Sequence, residues 1–138
     1  MSEFWNNAEE VSTAILGMFD KTFADASIKA KAEGLKNLLV FNYKDPDVTI
    51  WIDSRGEELN YGSGSPPDKA DVQMNLSADD AHRTWSNKMN VMVSIAKKKI
   101  ELVGNATRVL KLVPLLRIMA VKYNEKLKEM GKEAIILN

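Results

Sequence analysis

The stretch that decides the fold is Asp71–Leu116, DVQMNLSADDAHRTWSNKMNVMVSIAKKKIELVGNATRVLKLVPLL. Val72, Met74 and Leu76 alternate with Asp71, Gln73 and Asn75, the pattern of a strand with one apolar and one polar face. Ser77 then stands before Asp79 and Asp80, and a hydroxyl followed by two acids stabilises the unpaired N–H groups of a helix start. Two β-rich runs follow, 91–96 and 99–103, which the pattern joins as a hairpin at Lys97-Lys98-Lys99. Gly104 and Asn105 open a further helical pattern. Strand, short helix, hairpin and closing helix build a sheet with helices on one face. Nothing in the stretch has the make-up of a reaction centre.

Outward from this centre the periods stay readable. Residues 3–24 repeat apolar side chains every three or four positions (Phe4, Ala8, Val11, Ile15, Met18, Phe19, Thr22, Phe23), which predicts an amphipathic helix. Asp25 or Ser27 caps a shorter helix weakened by Gly34, with little besides Ile28 and Leu35 to bury. Residues 37–44 and 48–54 alternate as strands around Asp45-Pro46-Asp47, a turn because Pro46 has no N–H for a ladder. A short strand lies in EELNYG, and GSGSPPDKAD (62–71) is the one long loop. Polar faces on the strands imply a sheet covered on one side and half-solvated on the other. After residue 105, Ala106, Val109, Leu110, Leu112 and Val113 share an apolar face, and Pro114 kinks the helix or starts a new one that runs to about Glu129. The tail after Gly131 adds Ile135, Ile136 and Leu137 as apolar residues of exposed look.

The totals narrow the classes. At 138 residues the chain fits one domain, residues 1–138, by a prior of ~150 residues per domain. With no cysteine there is no disulfide, thiolate metal site or catalytic thiol. No metal-ligand spacing occurs either, so neither metal nor cofactor is expected. Nineteen basic and nineteen acidic residues cancel, which argues against a nucleic-acid partner. MSEFWNNAEE lacks a basic leader, and the apolar runs fall far below the ~20 residues of a membrane span. A cytoplasmic location is the expectation.

The order of elements and the wording of residues 67–116 resemble the sterol carrier protein type-2 domain. The matching parts are Asp68-Lys69-Ala70-Asp71, Ser77-Ala78-Asp79-Asp80, Lys88-Met89-Asn90, Lys99-Ile100-Glu101-Leu102-Val103-Gly104-Asn105 and Leu110-Lys111-Leu112, with the likeness covering about 10–125 and leaving 126–138 as a tail. Two family glycines are replaced. Asn87 can still adopt the left-handed conformation of a helix end, whereas Lys98 implies a turn closed with ordinary dihedrals or an extra residue. The resemblance implies an α/β (α+β) fold: a five-stranded, mainly antiparallel sheet, helices packed on one face, and an apolar tunnel between. It implies reversible binding of fatty acid, fatty acyl-CoA, sterol or phospholipid without chemistry, and no catalytic residue. The peroxisomal tripeptide of some members is not present in Ile136-Leu137-Asn138.

On this reading the tunnel is lined from the sheet by Ile50, Met74, Leu76 and Leu102, and from the helices by Phe19, Phe23, Leu112, Leu116 and Met119. Trp85, Met89 and Met92 add a flexible or aromatic supply, since methionine adapts to variable ligands. The plain alternative is that all of these simply pack a core. Lys97-Lys98-Lys99 reads as a solvated turn, or as a contact for an anionic headgroup or a transient one for a membrane. His82, three residues after Asp79, reads as surface electrostatics, and Trp51 as a partly shielded surface residue. The segment 115–137 is the candidate lid. The rivals are a filled-core assembly or dimerisation module docking on an enzyme, and an enzyme with an inward-facing acid. A monomer or weak dimer is expected.

Overall fold

In chain order the elements are α1 (Ala8–Phe23), α2 (Ala26–Glu33), β1 (Leu38–Lys44), β2 (Val48–Asp53), β3 (Asn60–Ser63), β4 (Val72–Ser77), α3 (Ala78–Trp85), α4 (Val91–Ala96), β5 (Glu101–Gly104), α5 (Ala106–Val109), a 3-10 segment (Leu110–Leu115) and α6 (Leu116–Glu129). A further 3-10 turn, Glu133–Ile135, closes the tail. The computed structural model describes residues 1–138 apart from the side chain of Ala106, so the place predicted for that side chain lies outside the described residues.

One five-stranded sheet forms, in the order β3-β2-β1-β4-β5. The central pair β1–β4 is parallel and the other three pairings are antiparallel. Leu39, Phe41 and Tyr43 of β1, Ile50 and Ile52 of β2, and Val72, Met74 and Leu76 of β4 point into a single core closed by the helices. On the other face Asn42 donates to Gln73 and Asn75 and accepts from Thr49, while Asn75 donates to Glu101. This amide ladder links β2, β1, β4 and β5 across the polar face. Leu38 and Val40, also outside the core cluster, are nonetheless buried, so β1 is covered on both sides along its first half.

Helix ends follow their caps. Asn7 accepts from Glu10 N, Asp25 from Ser27 N and Ile28 N, and Ser77 from Asp80 N. The first helix therefore begins at Ala8, and Phe4 and Trp5 precede it in a bent segment packed against His82. Between α1 and α6, Met18, Phe19, Met119, Tyr123 and Leu127 are completely buried.

Two expectations are corrected. Residues 91–96 form a helix, not a strand: Asn90 caps it by accepting from Val93 N, and Val91 and Ser94 are buried while Met92 and Val93 face outward, a period of three rather than two. Short β-branched runs carry both signals, and the cap decides. The lysine turn therefore joins a helix to β5, and Lys98 closes it at φ +62°, in the left-handed region and not with ordinary dihedrals. Asn87 adopts φ +58° as its type permits. The region after 105 is broken: a short α-turn, a 3-10 segment containing Pro114, and then α6.

Candidate functional site

The inner face of β1 and β4 and the helices beyond it do not quite meet. The gap is an apolar cavity with room for about 40 Å³ of water-sized space. Phe41, Tyr43, Met74 and Leu76 form its floor, Ala81, Thr84 and Trp85 of α3 one wall, and Val91 and Ile100 another. Val109, Leu112, Val113 and Leu116 form the roof. The polar atoms near it are spent on the protein. Trp85 Nε1 donates to Tyr43 Oη at 3.0 Å, and Thr84 Oγ1 donates to the Asp80 carbonyl at 2.8 Å. Burial pushes the Tyr43 hydroxyl well above its usual pKa, so it stays neutral. What remains exposed to the cavity is hydrocarbon.

Of the residues expected to line a tunnel, Met74, Leu76, Trp85, Leu112 and Leu116 meet at this cavity. Phe19, Phe23, Ile50 and Met119 are buried in the continuous core next to it. The reason is aromatic packing: Phe19 and Phe41 both stand edge-on to Trp85, with ring centres 5.6 and 5.7 Å away, and fill the space toward α1. Met89 and Leu102 are half-buried against the core. Met92 is corrected: it is 52% exposed on the outer side of α4, because the segment is helical. Sequence reasoning missed Phe41 and Tyr43, though their parity with Leu39 points inward. It also missed Val91 and Ile100, which bracket the segment misread as a strand, and Val109 and Val113 in the broken helix.

His82 is also corrected. It is buried, not a surface residue. Its Nδ1 lies 2.6 Å from Tyr123 Oη and its Nε2 2.8 Å from the Ile135 carbonyl. A carbonyl only accepts, so Nε2 carries the proton and Nδ1 accepts from the tyrosine. Desolvation lowers the imidazole pKa, against smaller raising effects of the Ile135 carbonyl and Asp79. Nearby, Asp79 accepts from Ser2 Oγ and Glu3 N, and Asp80 pairs with Arg83. The ring is therefore a strut between α3, α6 and the tail. Among the described residues no three His, Asp or Glu side chains are placed to hold a metal ion, and no helix is long and apolar enough to cross a membrane.

Comparison with known proteins gives the same picture at the level of family and fold. The family model described as the SCP-2 sterol transfer family matches residues 18–117. Hydroxysteroid dehydrogenase-like protein 2 of Bos taurus is 32% identical over 83 residues, which is 59% of this chain and 20% of that protein. The chain thus spans about a fifth of the length of that curated relative. Among solved structures, Sterol Carrier Protein 2 from Yarrowia lipolytica in its apo form superposes with a TM-score of 0.62 at 22% identity, over 89% of this chain and 99% of that one. The solution structure of palmitated SCP2L2 from Aedes aegypti gives 0.50 at 17% identity, over 72% of this chain and 91% of that one.

Proposed function

The chain belongs to the SCP-2 sterol transfer family, and on that premise we propose that it binds a lipid hydrocarbon chain in the cavity between sheet and helices, without catalysing a reaction. The observation that carries this reading is the lining, hydrocarbon on every side with its few polar atoms already bonded within the protein. Each methylene moved from water into such a site contributes about 0.8 kcal/mol, so a long chain needs no polar anchor. The space of about 40 Å³ holds a few waters at most, at roughly 10–15 Å³ of such space for each, so a lipid must widen it. A flexible acyl chain suits such a site better than a rigid sterol, because it can fill the space as it opens. The palmitated relative is consistent with that preference.

The lid belongs to the roof. α6 is anchored by the fully buried Met119, Tyr123 and Leu127, whereas residues 106–115 are a short α-turn and a 3-10 segment around Pro114. The roof is therefore the part that moves. One observation favours the second reading, a filled-core module that docks on an enzyme: the cavity is small as it stands.

Native mass spectrometry of the purified protein, followed by solvent extraction and titration with a fluorescent fatty acid, separates the two readings. Binding of one fatty acid, weakened roughly tenfold or more by Leu112→Trp with an unchanged circular dichroism spectrum, is the expected result, since the larger ring overpacks the site. A bare mass and no uptake would leave the docking module standing.

A further inference from the structure

We propose that α4 and the lysine turn after it form a docking surface for an anionic lipid bilayer, set over one wall of the cavity. This rests on the lipid-binding reading above and adds where the lipid is exchanged. The net charge of zero conceals a division. Residues 86–122 hold eight basic side chains and one acid, Glu101, and the rest of the chain holds eleven basic and eighteen acidic. That basic segment supplies Val91, Ile100 and the roof of the cavity, so the stretch richest in positive charge also forms part of the enclosure of the candidate ligand space.

The outer surface of α4 is made for a lipid interface. Met92, Val93 and Ala96 lie on its exposed face, opposite the buried Val91 and Ser94. Met92 and Val93 are 52% and 47% exposed, and Lys97, Lys98 and Lys99 follow at once, all exposed. Among the described residues none of the three lysines forms an ion pair. Apolar side chains beside a lysine cluster supply the two signals that hold a protein at an anionic membrane, burial in the acyl boundary and attraction to the headgroups. A nucleic acid would use the lysines and leave Met92 and Val93 exposed. The pairing of both features therefore points to a bilayer.

Sedimentation with vesicles tests this, using phosphatidylcholine alone and phosphatidylcholine with added phosphatidylserine. The protein should bind the second and not the first, with binding that falls as salt rises. Substituting Lys97→Gln, Lys98→Gly and Lys99→Gln together should weaken it roughly 100-fold, the loss expected for three lysines at such a surface. Glycine fits the left-handed position of Lys98, so the turn is retained. Met92→Ser with Val93→Ser should weaken binding roughly tenfold. No binding to either vesicle, equal binding by the lysine variant, or tighter lysine-dependent binding to a short DNA duplex would each overturn the proposal. Fatty-acid uptake from vesicle-free solution separates this proposal from the reading beneath it. Uptake without vesicle binding overturns only the docking surface. Lysine-dependent vesicle binding without uptake supports the docking surface and overturns the cargo.

Discussion

At residue scale the histidine teaches most. His82 is the only histidine in the chain, and it reads as a surface residue because three charged neighbours, Asp79, Asp80 and Arg83, surround it in sequence. Burial comes from residues far away, Phe4, Trp5, Tyr123 and Ile135, which no local pattern reveals. The consequence is a pH dependence with a definite sign. In the folded protein the pKa lies below its usual value of about 6.5, so the unfolded chain takes up the proton first. The contribution to stability is complete above that value and is lost as pH falls from there toward the depressed folded pKa. Carboxylates held low by hydrogen bonds, such as Asp25 by Ser27 and Asp53 by Arg55, act only at more acid pH. Urea unfolding between pH 5 and 7.5 should therefore show a slope that disappears in His82→Gln, which at neutral pH should be about 1–3 kcal/mol less stable for its lost bonds. An unchanged slope in the variant would refute the assignment.

At element scale, long periods were readable and short ones were not. α1 and α6 show several turns of apolar repeat, and β1, β2 and β4 show clear alternation, so their existence follows from pattern. The six residues of α4 contain Val, Met, Val and Ile, compatible with either period, and the cap at Asn90 tips them to helix. β5 depends on one glycine. Gly104 has φ +111°, and a Cβ there would strike the Asp71 carbonyl oxygen and come within 3.1 Å of Val72 Cα. Gly104→Ala should thus cost about 1–3 kcal/mol and strip exchange protection from the amides of β5 before those of β1. Normal protection of β5 in that variant would mean that the backbone can shift without loss.

At the scale of the whole molecule, family and layer order were legible from the sequence, whereas the volume left inside was not. Whether apolar side chains enclose space or fill it depends on how rings meet, and the packing of Phe19 and Phe41 on Trp85 leaves no mark in the pattern. The total charge was equally uninformative, since its zero is a sum over a basic stretch, residues 86–122, and an acidic remainder. Hydrogen exchange should separate the moving parts of the molecule. Amides of 106–115 should open by local fluctuation and become slower when fatty acid is bound, while those of α6 around Tyr123 should open only with global unfolding. Equal protection of both segments, with and without fatty acid, would argue against a mobile roof.

The bonding around α3 has a mechanical consequence. Ser2 and Glu3 are tied to Asp79, and Ile135 is tied to His82, three residues along the same helix. Part of any tension applied near either end of the chain is therefore delivered to α3, which also carries Ala81, Thr84 and Trp85 against the cavity. A load on a tether at one end would strain that wall directly, without first having to unfold the sheet.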